Sequence, residues 1–255
     1  MPVTTRLKFS TLAAARHLLA SALVATMAGL LVFQVWYPAP YSDLAAGASL
    51  FTLLISVDVV CGPLLTLILF SPSKPRKELV QDLALVVVVQ LCALLYGLSA
   101  VWLARPLFLV AEVDRVKVIS AASLRERERS DVPAALAPRF LEGPRMVSVQ
   151  GPTDQDIKLS IIRGVLEGEP DLGERPQYYV PYDQAAGTAL YERAKPPGRF
   201  LEKFPQQKTR FDTLAAESGA SATSLRYVPV IALQDWVALM DPSGRVIGFI
   251  KGDGF

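Results

Sequence analysis

The chain has 255 residues, 51% of them hydrophobic, and a formal net charge of only +2. So small a charge argues against a nucleic-acid partner, because a phosphate backbone is bound by clustered lysine and arginine. The apolar residues concentrate in the first 105 residues, and the rest has the composition of a globular domain. This shift predicts two domains, a transmembrane domain at 1–105 and a small α+β domain at 106–255.

Cysteine and histidine are confined to the first domain, at Cys61, Cys92 and His17. The second domain therefore has no disulfide, no thiol nucleophile and no zinc site built from nitrogen and sulfur ligands. Acyl transfer by a Ser-His or Cys-His pair is excluded there as well. The sequence also contains no phosphate-binding loop, dinucleotide fingerprint or metal-ligand spacing. We predict no catalytic residue, no cofactor and no metal.

The first apolar run predicts a membrane span at 13–35. A cleaved signal peptide is the competing interpretation, but two more spans follow and no clear cleavage site precedes Trp36. Small residues recur every fourth position in this run, at Ser21, Ala25 and Gly29. Such a face allows another helix to approach closely. We expect it to be a helix-packing or partner-contact face.

The second predicted span, 48–70, contains a carboxylate, a glycine and a proline within six residues: Asp58, Gly62 and Pro63. A charge inside a bilayer is costly and usually has a function. Pro63 lacks an N–H, which leaves a carbonyl one turn earlier without its helical partner. Neighbouring helices must cover both features. The sequence therefore predicts a packed three-helix bundle.

The third predicted span, 82–103, supplies a possible partner for Asp58. At about 1.5 Å per residue, Asp58 lies roughly 18 Å from the Phe70 end of its helix. By the same arithmetic it is level with Thr26 and Tyr96, so we expect a hydrogen bond from one of these hydroxyls to a protonated Asp58. Asp58 then fixes helix register or contacts a partner. A proton-transfer role is less consistent with the sequence, because no second intramembrane carboxylate or lysine completes a relay.

The charges of the loops predict an orientation. The tail before the first span and the loop between the second and third spans are basic, whereas the loop at 36–47 has neither lysine nor arginine. Basic short loops stay in the cytoplasm. The N-terminus is therefore expected in the cytoplasm, and the domain at 106–255 outside it, in the periplasm of a Gram-negative cell.

The second domain shows strand and helix patterns in a mixed order. A valine-rich alternating run at 107–119 predicts a strand, and an apolar helical face follows at Ile157, Ile161, Ile162 and Val165. The sequence Asp241-Pro242-Ser243-Gly244 is a strong turn signal between two β-like runs. We therefore predict a small α+β domain that ends in a β-hairpin.

The membrane half resembles the type IV pilin accessory proteins of the TfpX/TfpZ group over about residues 10–120. The residues that carry this resemblance are Trp36-Tyr37-Pro38, the segment from Ser56 to Leu67 that includes Asp58, Gly62 and Pro63, Asp82-Leu83-Ala84, Tyr96-Gly97, Ala104-Arg105-Pro106 and Val113-Asp114-Arg115. The resemblance implies a non-enzymatic inner-membrane protein with a periplasmic C-terminal domain. It implies that the partner is the major type IV pilin, whose stability, assembly or surface display the protein assists.

Two other classes of function stay open from the sequence. A membrane-anchored enzyme that modifies pilin by glycosyl or acyl transfer would need a base that activates the acceptor, and only Asp and Glu residues could supply it outside the membrane. A sensor or transport component is the third reading. A single carboxylate in three spans makes a poor transport path.

Overall fold

The computed structural model describes residues 3–45, 47–124, 126–140 and 142–255, with the side chains of 3–6, 126 and 127 left out. The chain forms two compact units. The first comprises residues 1–35 and 46–103, and the second comprises residues 36–45 and 104–255. Three long apolar helices in the first unit are followed by a mixed sheet domain in the second, as the sequence predicted.

The three long helices are α1 (Val3–Leu31), α3 (Gly47–Leu69) and α4 (Arg76–Ala104). A π-helical turn, Val32–Trp36, extends α1. Each helix is long and apolar enough to cross a membrane. Both α1 and α4 begin several residues before the predicted spans, because charged first turns extend them beyond the apolar runs. Asp82, predicted at a helix N-terminus, therefore lies in the second turn of α4 and pairs with Lys74 at 2.5 Å.

The packing of α1 against α3 is antiparallel. At one end the hydroxyl of Ser10 donates to the carbonyl of Phe70 at 2.9 Å. At the other end the rings of Phe33 and Phe51 meet edge to face, with centroids 5.2 Å apart. Such edge-to-face pairs stabilise packing by about 0.5–1.5 kcal/mol beyond the area they bury. These two contacts fix the register of α1 on α3.

The second unit is built on one seven-stranded sheet in the order β4-β3-β1-β2-β5-β6-β7. The β1–β3 and β2–β5 pairs are parallel and the other neighbours are antiparallel. The strands are β1 (Pro106–Ala111), β2 (Val116–Ser120), β3 (Arg145–Val149), β4 (Tyr179–Pro181), β5 (Arg226–Ile231), β6 (Trp236–Met240) and β7 (Val246–Lys251). The last two form the predicted terminal hairpin.

Short helices complete the second unit. They are α2 (Tyr41–Leu44), α5 (Glu126–Arg129), α6 (Gln155–Leu166), α7 (Gln184–Arg193), α8 (Gly198–Lys203) and α9 (Lys208–Ser218), with 3-10 turns at Ala134–Leu136, Leu172–Glu174, Pro176–Tyr178 and Pro205–Gln207. All six residues of β1 are buried. A strand buried on both faces lies in the middle of the sheet, which explains why β1 is a continuous apolar run.

The segment between the first two long helices packs into the second unit. Leu44 has no exposed surface and belongs to the same core cluster as Leu109 and Met240. Tyr41 stacks edge to face on Phe249, with ring centroids 5.9 Å apart. This segment was counted with the predicted transmembrane domain at 1–105. In the structure it is instead part of the sheet domain's core.

The hairpin turn between β6 and β7 is held by one buried carboxylate. Asp241 accepts hydrogen bonds from the Ser243 hydroxyl at 2.5 Å, the Ser243 N–H at 2.9 Å and the Arg245 N–H at 3.1 Å. Gly244 has φ = 80° and packs directly on the backbone of Gly187. Only glycine fits that combination of left-handed backbone and close approach.

We expect Asp241→Asn to destabilise the second unit and to reduce the loss of its stability at acidic pH. Burial alone would raise the pKa of Asp241, but the hydrogen bonds from Ser243 and Arg245 outweigh it and lower that pKa. The stabilisation is therefore complete above the unfolded-state pKa of about 3.9 and is lost as pH falls through the lower folded-state pKa. The free energy of unfolding, measured with denaturant at neutral pH, should be about 1–3 kcal/mol lower for the variant than for the native protein. Equal unfolding free energies for the two proteins at neutral pH would contradict this.

Candidate functional site

The three long helices enclose a groove of about 530 Å³ within the first unit. Its lining is mostly apolar, with a small set of polar side chains that converge on it. These polar residues are Arg16, His17, Ser21, Asp58, Thr66 and Gln90. A large apolar cavity with a few converging polar groups is the usual form of a binding site. We therefore take this groove as the candidate functional site.

Two helices form the walls of the groove and α3 contributes its floor. The α1 wall runs from Phe9 to Val24, and the α4 wall runs from Leu83 to Leu94. Both walls repeat at helical spacing, so each is one continuous helix face. From Phe9 to Val24 the groove is about 22 Å long at 1.5 Å per residue.

Asp58 meets Gln90 of α4 at the deep end of the groove. The Gln90 amide donates to the backbone carbonyl of Asp58 at 3.0 Å and lies 3.5 Å from its carboxylate. Gly62 makes this approach possible, because a Cβ at that position would lie 2.0 Å from the Gln90 amide nitrogen. In lipid such an interhelical hydrogen bond contributes about 0.6 kcal/mol, and at most about 1.7 kcal/mol.

The predicted hydrogen bond from Tyr96 or Thr26 to Asp58 is wrong. Tyr96 is 79% exposed, and the Thr26 hydroxyl donates to the Ala22 carbonyl of its own helix. The error comes from the start of the third helix, which lies at Arg76 and not at 82. Six further residues shift the level of α4 by about 9 Å, which brings Gln90 to the level of Asp58.

We expect Gly62→Ala to displace the Gln90 side chain and break its hydrogen bond to Asp58. The free energy of unfolding should fall by roughly 1 kcal/mol, the order measured for single interhelical hydrogen bonds in membranes. Thermal unfolding of the detergent-solubilised protein measures this. Gly29→Ala is the matched control, because a Cβ there would meet the Phe51 ring at an ordinary 3.4 Å. If the two variants unfold at the same temperature, Gly62 has no special role.

The middle of the groove is basic. His17 Nδ1 lies 2.5 Å from the hydroxyl of Thr66, which joins α1 to α3. Arg16 lines the same groove. Within the ranges described above, no residue forms a hydrogen bond or an ion pair with its guanidinium. The groove therefore has a cationic group near its middle and a carboxylate towards its deep end.

The remaining residues singled out from the sequence lie at different places in the first unit. Ser21 is buried and lines the groove, Ala25 is half-buried, and Gly29 faces Phe51 of α3. Pro63 is half-buried inside an unbroken α3. The structure thus brings Ser21, Asp58 and Gly62 together around the groove and leaves Tyr96 on the outer surface.

Sequence reasoning missed Gln90, Thr66, Arg16 and His17 as parts of this site. Gln90 carried a usable signal, since it is the one amide in the apolar run from Leu83 to Leu95. A polar side chain in such a run usually faces another helix. Arg16 was counted only as the edge of the basic N-terminal tail and His17 only as a residue of the membrane half, although both fall inside the span predicted at 13–35.

The second unit has an exposed apolar surface on α6. Ile157, Leu159, Ile162 and Val165 are exposed, and Leu166 is 83% exposed, whereas Ile161 is buried. The four residues predicted to share a helical face do lie on α6, but among them only Ile161 is buried. Contiguous exposed apolar residues of this kind mark contact surfaces for other macromolecules or membranes.

A second cavity, of about 400 Å³, lies beside β1 and contains a buried carboxylate oxygen. Glu112 Oε1 has no hydrogen-bond partner among the described residues. Burial first, and then the nearby Asp171 carboxylate, raise the pKa of Glu112. Asp171 itself is paired with Lys117 at 2.7 Å. The described residues contain no group of three or more His, Cys, Asp or Glu that could hold a metal ion.

Comparison with known proteins relates the chain to fimbrial assembly proteins. The sequence profile of the family described as "Fimbrial assembly protein FimB" matches residues 5–46. "Fimbrial assembly protein, serogroup I" from Dichelobacter nodosus is 29% identical over 246 residues, which cover 94% of this chain and 93% of the relative. "Fimbrial assembly protein, serogroups C1 and C2" from the same organism is 42% identical over 108 residues, which cover 42% of this chain and 82% of the relative. No solved structure matches the chain.

Proposed function

Because the chain belongs to the FimB family of fimbrial assembly proteins, we propose that it is a non-enzymatic accessory protein of the bacterial inner membrane. It assists the major type IV pilin in stability, assembly or surface display. The observation that carries this proposal is the similarity to a fimbrial assembly protein over 94% of the chain, which includes both the helices and the sheet domain.

The distribution of chemical groups supports a role without catalysis. The second unit has neither cysteine nor histidine, so it lacks a thiol nucleophile and the side chain most often used as a general base. Glu112 of that unit has a raised pKa, but it lies behind Gly173 in a cavity that also holds the paired Asp171. The features that stand out are surfaces and a groove, as expected of a protein that binds another protein.

The test is deletion of the gene and complementation with the native protein. We expect surface fimbriae to be lost on deletion and restored on complementation, while the intact mass of the pilin stays the same in both strains. Unchanged fimbriae and pilin levels in the deletion strain would refute the assembly role. A shift in pilin mass that depends on the protein would instead favour a modifying enzyme.

We also propose that the N-terminus is cytoplasmic and that residues 104–255 are periplasmic. Lys74 lies in the loop between α3 and α4, and Arg76 and Lys77 are the first two residues of α4, whereas the one charged residue in the segment between α1 and α3 is the acidic Asp43. Basic loops are retained in the cytoplasm. Alkaline phosphatase fused to the C-terminus should therefore be active, and the same enzyme fused within 71–75 should be inactive. The reverse pattern would contradict this orientation.

A further inference from the structure

We propose that the groove between α1 and α4 is the binding site for one transmembrane helix of the fimbrial subunit. This inference rests on the proposed function for the identity of the partner. Three features of the groove support this site: its shape, the depth of Asp58, and Arg16, whose guanidinium has no hydrogen bond or ion pair among the described residues.

The shape of the groove fits a helix. Its two walls are helix faces, and it extends for about 22 Å, the length of roughly 15 helical residues. Helix faces that flank a third helix as a floor are complementary to a further helix packed lengthwise between them.

The depth of the polar groups distinguishes a helix from a lipid chain as occupant. Asp58 is 12 residues from the Phe70 end of its helix, about 18 Å into the bundle. Among the described residues its carboxylate accepts one side-chain hydrogen bond, from the Gln90 amide at 3.5 Å, and His17 interacts with it electrostatically. An acyl chain has no hydrogen-bond donor for it, whereas a helix can place a polar side chain at that depth.

The positions of Arg16 and Asp58 in the groove predict which polar groups the bound helix has. Arg16 is six residues, or about 9 Å, further along α1 than Ser10, which contacts Phe70 at the end of α3. Asp58 is about 9 Å deeper than Arg16 by the same measure. The bound helix is therefore expected to present an anionic or acceptor group to Arg16, and a donor to Asp58 about six residues away.

Photo-crosslinking in cells that express the full chain tests this site. A photoreactive phenylalanine at Val87 or Leu91 lies on the α4 wall, whereas the same residue at Val89 or Leu95 lies on α4 outside the groove. We expect subunit adducts from the two wall positions at about tenfold the yield of the two outer positions, the ratio that corresponds to about 1.4 kcal/mol of site preference. Arg16→Gln should reduce the wall adducts roughly three- to tenfold, and Arg16→Lys should restore them in part.

The possible failures of this experiment differ from one another. Adducts with lipid alone at Val87 and Leu91, together with subunit adducts from α6 positions such as Leu159, would overturn the groove site and leave the proposed function standing. Equal subunit adducts from wall and outer positions would also overturn it. An absence of subunit adducts from every position in both units, with normal fimbriae in the deletion strain, would refute the proposed function itself.

Discussion

Leu44→Asp is expected to unfold the sheet domain and to deplete the protein from the membrane. Leu44 lies between the first two long helices in the sequence, far from the strands. In the structure it is nevertheless fully buried in the core of the sheet domain with Leu109 and Met240. Truncating a buried leucine to alanine costs about 2–5 kcal/mol. A buried carboxylate without a partner costs several kcal/mol more, which approaches the whole stability of a typical domain, about 5–15 kcal/mol.

The measurement is the protease resistance of residues 104–255 in membranes, together with the steady-state level of the full chain. Leu233→Asp is the matched control, because Leu233 belongs to the same unit and is 75% exposed. It should remain folded and abundant. If Leu44→Asp is as resistant as this control, the segment at 36–45 does not contribute to the core.

Ala20→Phe is expected to abolish fimbrial assembly while leaving the protein folded. Ala20 is exposed and lines the groove on its α1 wall. A phenyl ring there would occupy the space proposed for the subunit helix and would not disturb the α1–α3 contacts at Ser10 and Phe33. We expect surface fimbriae to fall at least about tenfold, since loss of about 1.4 kcal/mol of binding already has that effect.

Leu19→Phe provides the control for this variant. Leu19 is adjacent in sequence, is 72% exposed and does not line the groove. Its replacement places the same ring about 100° around α1 from Ala20, outside the lining of the groove, so fimbriae should be produced normally. Normal fimbriae with Ala20→Phe, at native protein level, would exclude the groove from assembly.

The sequence allowed the three helices and the terminal hairpin to be predicted because both depend on local signals. Long apolar runs must form helices in lipid, where every backbone group needs a partner within the segment. The Pro242–Gly244 turn likewise has its own backbone preferences. In the structure the hairpin pairs Trp236 with Lys251 and Met240 with Val246 around that turn.

The helix-to-helix contacts could not be predicted as well, because they depend on where each helix begins. Charged residues at the start of α4 extend the helix six residues before the predicted span. This offset explains why Tyr96 was predicted as the partner of Asp58, whereas the structure has Gln90 there. Because each residue adds 1.5 Å along the helix axis, an error in the first residue of a helix shifts the predicted depth of every later residue.

Long-range packing in the second unit also could not be predicted from the sequence. Nothing in the local pattern of Tyr41–Leu44 indicates that it completes the core of a sheet whose first strand begins at Pro106. Similarly, the apolar spacing of α6 predicts an amphipathic helix but not that most of its apolar face is exposed. Periodicity identifies an apolar face and leaves open what covers it.

Co-purification of the fimbrial subunit with the detergent-extracted protein shows whether the groove binds the subunit. The native protein should retain the subunit, and Asp58→Asn should retain roughly three- to tenfold less, because the charge that a donor from the subunit would meet is removed. Thermal unfolding of both proteins in the same detergent checks that the variant is folded. Equal retention by native and Asp58→Asn proteins, or no retention by the native protein above an untagged control, would contradict subunit binding at the Asp58 groove.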